Sequence, residues 1–427
     1  MTCDLRDRLE PAIFRYFLLP KLRIEQYAYV QKLRKQNRVT LAFIVSSLSQ
    51  WRTQSLFDLL NEDARFTVRL IIYPYPSFGA EQVKTSAEAI RQYCQSRRLP
   101  FLDLTMSQSP GRDLREGLNP DLLFYPQPYN FLFNNDLDAV HFEDKLIGYI
   151  PYAIHTFREP KMFRNILSNI AWRMFFMCED NVADAKKFLY NGARNVRIVG
   201  EPVSDLFAGP AENNPWKPQE RQKKKIIWAP HFTIAEGTWL RRDSFSWLSK
   251  LMLGMAQKYR EQIQIAFKPH PRLFTELQKH PEWGTERANE YYQKWATGEN
   301  TQLETGAYVD LFKTSDAMIH DSGSFSVEYL FTGKPALFTT QNLEAATKNQ
   351  NEIGRDAVMA HYQGASESDV CTFIEDVVLG GNDPMKARRD AYYDKYLRPP
   401  GGRPVAENIY HEILSGLHLM NKQCPSR

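Results

Sequence analysis

Paired cysteines are missing from this chain. Its five cysteines, Cys3, Cys94, Cys178, Cys371 and Cys424, lie far apart with no C-x-x-C, which excludes a disulfide framework or a cysteine zinc cluster and suits a reducing cytoplasm. Long apolar runs are missing as well. No segment reaches the ~18 residues that a spanning helix needs, and Asp4, Arg6, Asp7, Arg8 and Glu10 stand where a secretion signal would be apolar. Nor is there an excess of one charge: 54 basic and 50 acidic residues leave +4 over 427 residues, so nucleic acid is not an expected partner. No His-Glu-x-x-His segment or similar ligand spacing occurs, and neither a metal nor another cofactor is expected.

What is present is the composition of an ordinary globular protein, 43% hydrophobic and 24% charged. A chain this long exceeds the ~250–300 residues that one core usually organises, so two domains are expected. From Val39, "VTLAFIVSS", the helical "WRTQSLFDLLNE" and "FTVRLIIYP" form a strand–helix–strand unit. Its continuously apolar strands predict a parallel sheet covered on both faces. The alternation continues through the helix "KTSAEAIRQYCQSRR", the strands "FLDL", "DLLFYPQP" and "KLIGYIPY", a helix "FRNILSNIAWRMFFMCE" and the strand "VRIVGEPV". Residues 1–208 thus read as one doubly wound domain and 209–225, rich in Pro, Asn and charge, as a linker. Residues 226–427 repeat the pattern with "IIWAPH", "WLSKLMLGMAQKY", "QIAFKPHP", a polar region about 282–300, "VDLFKTS", "DAMIHDSGS" and "PALFTT". The expected fold is α/β, GT-B-like: two Rossmann-like parallel-sheet domains facing across a cleft, with ligands at the carboxyl ends of the strands.

Chemistry-bearing residues gather at such strand ends in the second domain. Pro230-His231 closes one strand, Pro269-His270-Pro271-Arg272 a second, and His320-Asp321-Ser322-Gly323-Ser324 a third. The helix expected to begin near Ser324 or Phe325 would turn free N–H groups and its positive end toward an anion. Gly323 would permit close backbone approach, and Ser322 and Ser324 would add hydroxyl donors to a phosphate. Glu328, about one turn on, would face a ribose diol, whereas Lys334 reads as a residue of an exposed turn. The plainer reading makes Asp321 or Ser322 an N-cap and the histidines packing residues.

The segments "WAPHF", "FKPHPR", "DAMIHDSGSFSVEYLFTGKPALF" and "GGRPVAENIYHEIL" resemble the CDP-glycerol glycerophosphotransferase family, the polymerases and primases of teichoic acid and related capsules, over about 226–417. The resemblance implies a transferase acting on CDP-glycerol or a related nucleotide-activated donor. It places His270 and Arg272 at the donor diphosphate, Ser322, Gly323 and Ser324 on its phosphates, and Glu328 at its ribose. His231, Asp321 and His320 complete the expected set, with His270 and His320 counted as catalytic. Family members carry a Trp-His-Gly segment whose histidine activates the acceptor hydroxyl. This chain has "GYIPYAIHTF" instead, which makes His155 the candidate base. A nucleotide-sugar glycosyltransferase is the rival enzyme, and the "VRIVGEPVSDLF" segment and the "DSGSFSVE" loop also resemble those of nucleotide-sugar 2-epimerases. A nucleotide-binding scaffold of an envelope assembly complex is the non-enzymatic alternative.

The resemblance implies an envelope glycan or lipid-linked acceptor, which gives a second meaning to residues 1–38. This segment reads as helical from about Leu5 with a break at Pro20, and its Lys and Arg outnumber its acids amid "IFRYFLL" and "YAYV". It either lies on an anionic membrane surface as a peripheral anchor at the inner face of the cell membrane or packs against the first domain's core.

Overall fold

The structure is a computed structural model, and it describes residues 14–74, 79–128, 136–234 and 244–421. Two compact units organise the chain. The first comprises Met1–Ile154, Glu159–Asp205 and Pro399–Arg427, and the second His155–Arg158 and Leu206–Arg398.

The first unit is built on seven parallel strands, β1 (Val39–Val45), β2 (Phe66–Ile72), β3 (Phe101–Asp103), β4 (Leu122–Tyr125), β5 (Leu146–Tyr149), β6 (Arg173–Phe176) and β7 (Val196–Ile198), in the order β3-β2-β1-β4-β5-β6-β7. Continuous apolarity in β1 has a direct cause. Leu41, Phe43 and Val45 enter one core cluster and Ala42 and Ile44 the other, so both faces are dry. Residues 173–176, expected inside a long helix, form strand β6 instead. The helix is only Ile166–Ile170, and it ends where Asn195 Nδ2 donates to the carbonyls of Ser168 and Ala171 at 3.1 and 2.9 Å. An apolar run buried on all sides does not reveal its period.

Two terminal segments belong to this unit. The helix Leu19–Leu33 runs on from a π-helical turn at Phe14–Leu18 without a break at Pro20, which occupies the first helical turn where its missing N–H is not needed. Leu19, Val30 and Leu33 are buried, as the packed reading required. The part of the expected helix before residue 14 lies outside the described residues. At the other end, helix Val405–Gly416 sends Val405, Ile409, Ile413 and Leu414 into the first unit's core. Its first N–H groups, on Val405 and Ala406, donate to the Asp205 carboxylate at 2.8 and 2.7 Å, which offsets the helix's unpaired end. At Gly200, φ is +97° and a Cβ would fall 2.6 Å from Val405, so "VGEPVSD" and "RPVAEN" fold as one piece. The division therefore departs from the expected second domain of 226–427. Residues Pro399–Arg427 return to the first unit.

The second unit has six parallel strands, β8 (Lys224–Ala229), β9 (Ile263–Phe267), β10 (Thr301–Leu303), β11 (Ala317–His320), β12 (Ala336–Thr339) and β13 (Tyr362–Gly364), in the order β10-β9-β8-β11-β12-β13. Ile226 and Trp228 pack under the helices Phe245–Lys258 and Gly284–Thr297, while Ile227 and Ala229 pack on the opposite face with Leu311 and Phe312. The expected linker is packed too. Trp216 is buried in that second cluster and donates its indole N–H to Thr314 at 3.0 Å. Among the described residues no helix is long and apolar enough to cross a membrane.

Candidate functional site

Chain order reverses between β8 and β11, the first and fourth strands of the second sheet. At such a point the loops leaving neighbouring strands diverge and open a crevice beyond their carboxyl ends. The side chain that ties this point together is Asp321. It is fully buried, and its carboxylate accepts from the backbone N–H of His231 after β8 at 2.6 Å and of Ser244 before helix Phe245–Lys258 at 3.1 Å. Asp321 therefore positions two neighbouring segments.

His231, Phe232, His270 and Arg272 meet at the ends of β8 and β9. The His231 and His270 rings are 5.1 Å apart, Phe232 lies 4.6 Å from His270, and the Arg272 guanidinium sits 4.1 Å over the Phe232 ring. His231 Nδ1 is 3.0 Å from the Thr233 hydroxyl. His270 Nδ1 accepts the backbone N–H of Arg272 at 3.1 Å, which leaves the ring proton on Nε2. Burial, helped by the Arg272 charge, pushes the His270 pKa down to about 4. At neutral pH His270 is thus an uncharged N–H donor.

The third loop supplies hydroxyls. Helix Gly323–Glu328 follows β11 one residue earlier than expected and continues as a 3₁₀ turn through Thr332. Ser322 stands at the N-cap position without making a side-chain cap hydrogen bond, and Ser322, Gly323 and Ser324 are half-buried. The plainer N-cap reading of Ser322 therefore fails here. Glu328 is fully buried one turn further on. His320, expected to be catalytic, has no exposed surface, and its ring packs edge-on against Phe338 at 5.6 Å and His361 at 5.3 Å. His361 Nε2 donates to the Ser326 carbonyl at 2.7 Å. Since strand residues alternate faces, His320 turns inward while the loop after it faces out. It supports the loop from beneath, and the catalytic expectation is withdrawn.

Lys334 also departs from expectation. Its Nζ donates to the carbonyls of Phe312, Lys313 and Ser315 at 3.2, 2.5 and 2.5 Å, closing the carboxyl end of helix Val309–Thr314. Burial lowers its pKa. Lys334→Met should lower unfolding free energy by about 3 kcal/mol, because charged hydrogen bonds are worth ~1.5–3 kcal/mol each and the carbonyls lose their partner. Urea denaturation with an unchanged midpoint would show the ammonium to be dispensable.

Beside His270 lies a cavity of about 500 Å³, lined by Phe274, Asn289, Tyr292, Gln293, Leu303 and Thr305 among others. Its wall is helix Gly284–Thr297, in the stretch read from sequence only as a polar region. The signal was present: Ala288, Tyr291 and Trp295 recur at helical spacing and are buried, which turns Asn289, Tyr292 and Gln293 toward the cavity. The Tyr292 hydroxyl is sealed from solvent and has no hydrogen-bond partner among the described residues. Lys268, buried in the "FKPHP" segment, donates to the Gly306 carbonyl at 2.6 Å and so anchors the Thr305 side of the wall. Among the described residues no three His, Cys, Asp or Glu side chains are grouped to hold a metal ion.

His155 belongs to the second unit by its contacts. Residues 155–158 run along 349–351, with Asn351 Nδ2 donating to the His155 carbonyl at 2.8 Å and a β-bridge joining Phe157 and Gln350. Gly354 makes room for this strap, since a Cβ there would meet the Thr156 carbonyl at 2.5 Å. Burial pushes the His155 pKa down to about 4, so its imidazole is neutral at physiological pH.

No protein-family model matches the chain, and no curated protein sequence does either. Its architecture does match solved structures. The wall teichoic acid polymerase TagF superimposes with a TM-score of 0.60 at 11% identity, covering 98% of both chains. The Staphylococcus aureus MnaA–UDP complex gives 0.57 at 14% identity, covering 91% of this chain and 99% of MnaA. The UDP-GlcNAc 2-epimerase of Neisseria meningitidis bound to UDP-GlcNAc gives 0.54 at 15%, covering 88% and 100%. At these identities the likeness establishes the GT-B-like fold of two Rossmann-like domains.

Proposed function

We propose that the chain is a transferase that binds a nucleotide-activated donor at the carboxyl ends of β8, β9 and β11 and moves a glycerol-phosphate unit from CDP-glycerol, or a similar CDP-activated alcohol, to a hydroxyl of an envelope glycan or lipid-linked acceptor. The observation carrying it is the placement, at the carboxyl ends of strands around the order reversal, of the uncapped Ser322–Ser324 loop, the neutral N–H donor of His270 and the Arg272 guanidinium, with Asp321 tying the first to the His231 segment beside the other two. From β11 to β10 is three strand spacings, roughly 15 Å, a span comparable to an extended nucleoside diphosphate. Phosphates would lie on the Ser322–Ser324 loop, the ribose toward Glu328, and the base toward the cavity beside His270.

In this reading the acceptor oxygen bonds to the β-phosphorus as the bond to the bridging oxygen breaks, and CMP leaves with that electron pair. Phosphoryl transfer asks mainly for positioning and charge stabilisation. The loop hydroxyls, Arg272 and the His270 N–H meet the charge growing on the departing CMP. The acceptor proton passes to a base, for which His155 is the candidate; its neutral ring is in the required state, although a pKa near 4 makes it a weak acceptor of protons.

A second reading, nucleotide-sugar chemistry, is favoured by the UDP and UDP-GlcNAc complexes of similar fold. Thermal unfolding separates the two. CDP-glycerol, CDP and CMP should raise Tm at concentrations where UDP and UDP-GlcNAc do not. Stabilisation by the uridine ligands alone would replace the first reading with the second, and no response to any nucleotide would remove both enzyme readings.

A further inference from the structure

A second cavity, of about 280 Å³, lies in the first unit beneath the N-terminal helix Leu19–Leu33, far in sequence from the donor loops. Its polar lining includes Arg23, Gln26, Arg173, Arg194, Asn195 and His418, and no carboxylate is among its lining residues. The nearby acid is already engaged: Glu412 pairs with Arg197 at 3.1 Å. Arg173 starts strand β6 with its guanidinium 4.9 Å over the Trp172 ring. Its Nε is sealed from solvent and has no hydrogen-bond partner among the described residues, and its Nη1 makes only a long 3.4 Å bond to the Trp172 carbonyl. A glycine at 416 keeps the wall open, because a Cβ would stand 2.5 Å from the Trp172 ring and 3.4 Å from Arg173.

Burial and then the Arg197 charge bring the Arg173 pKa down to about 10, with Glu412 offsetting them only in part, while burial and then the repulsion of Arg194 lower that of Arg23. An anion with several acceptor oxygens would relieve this repulsion and pair with the planar guanidinium forks. The helical segment over the cavity also exposes large apolar side chains. Phe17, Ile24 and Tyr27 are 73%, 71% and 64% exposed on it, and Tyr27 also lines the cavity. Large apolar side chains standing in solvent beside a basic pocket match the two-part chemistry of a lipid, a phosphate joined to acyl chains.

We propose that this pocket holds the phosphate headgroup of an anionic lipid, with Phe17, Ile24 and Tyr27 entering the acyl layer. Helix Leu19–Leu33 then both packs on the first unit and docks the protein to a membrane. The site is separate from the donor loops, so it stands whether the protein transfers glycerol phosphate or a sugar.

The test is sedimentation of the full chain with phosphatidylcholine vesicles, with and without phosphatidic acid. Binding should require phosphatidic acid. The variant with Arg23, Arg173 and Arg194 changed to Gln should lose at least tenfold more affinity than one with Lys21, Lys32 and Lys35 changed to Gln, which removes equal charge from the exposed side. Equal losses would mean diffuse surface attraction and overturn the pocket. If the triple arginine variant does not fold, Arg23→Gln with Arg194→Gln, both side chains reaching solvent, carries the same comparison. Soluble glycerol phosphate, followed by quenching of Trp172 fluorescence against a Trp172→Phe reference, should bind at least tenfold more weakly than vesicles. Equal affinity would assign the pocket to a free phosphate ester and overturn the lipid assignment.

Discussion

A protein carrying Ser322→Ala and Ser324→Ala should keep its thermal stability and lose roughly a hundredfold in affinity for CDP-glycerol, the proposed donor. The stability half follows from the geometry. Ser322 makes no cap hydrogen bond to the helix it precedes, and the bond holding the turn, from the Ser326 hydroxyl to the Ser322 carbonyl at 2.7 Å, uses backbone that alanine retains. A working N-cap would instead have cost ~1 kcal/mol. The binding half follows from charge. A hydrogen bond to a phosphate oxygen is worth ~1.5–3 kcal/mol, so two lost bonds amount to about 3 kcal/mol or more. Calorimetric titration with the donor checks this. Unchanged affinity in the folded double variant would take the phosphate role from this loop and leave its hydroxyls as solvated surface.

Sequence reading succeeded where one pattern had one structural meaning. Runs such as "VTLAFIV" and "KKIIWA" became central parallel strands because only a sheet covered on both faces can use uninterrupted β-branched and aromatic residues. It failed where the meaning depended on distant partners. "AWRMFF" is equally apolar as helix or strand, and what decides is Asn195, contributed by the turn ahead of β7, closing the short helix before it. The return of residues 399–427 to the first unit was hidden for a similar reason. Its determinants, Asp205 and Gly200, lie about two hundred positions away from the helix they hold.

The candidate site was legible as composition more than as geometry. Strand-end positions correctly located the His231, His270 and Ser322–Ser324 segments, since a Rossmann-like sheet brings the carboxyl ends of its strands together. Roles within those segments depended on which way each side chain turned. His320 and Asp321 are adjacent, yet one packs against Phe338 and His361 while the other clamps two backbone N–H groups. Tyr292 and Gln293 went unseen because the helix bearing them is mostly polar outside its buried stripe, and a polar stretch does not advertise a cavity wall.

His270→Ala should lower kcat at least about a hundredfold with little change in donor affinity, because a donor aimed at leaving-group charge contributes most once that charge has developed. The chemical form of the histidine makes the test sharper. Its Nδ1 is occupied by the Arg272 N–H and its pKa is about 4, so the side chain serves as a neutral Nε2–H donor at pH 7. His270→Gln, which keeps a neutral donor, should recover part of the lost turnover, and His270→Lys should recover less. The same shift gives a pH signature with a definite sign. His155, His270 and His361 are all pushed from 6.5 to about 4 by burial, so the unfolded chain binds more protons than the folded one between those values. Stability is then fully present above pH 6.5 and falls as the pH drops toward 4, by up to ~1.4 kcal/mol per pH unit for a fully buried ring and less for a half-buried one such as His270. Urea unfolding between pH 4 and 8 should show that slope, and His361→Gln should reduce it. Rescue of His270→Ala by lysine in preference to glutamine would show that the site needs a cation there, and Arg272 alone would then be too little charge for the departing CMP.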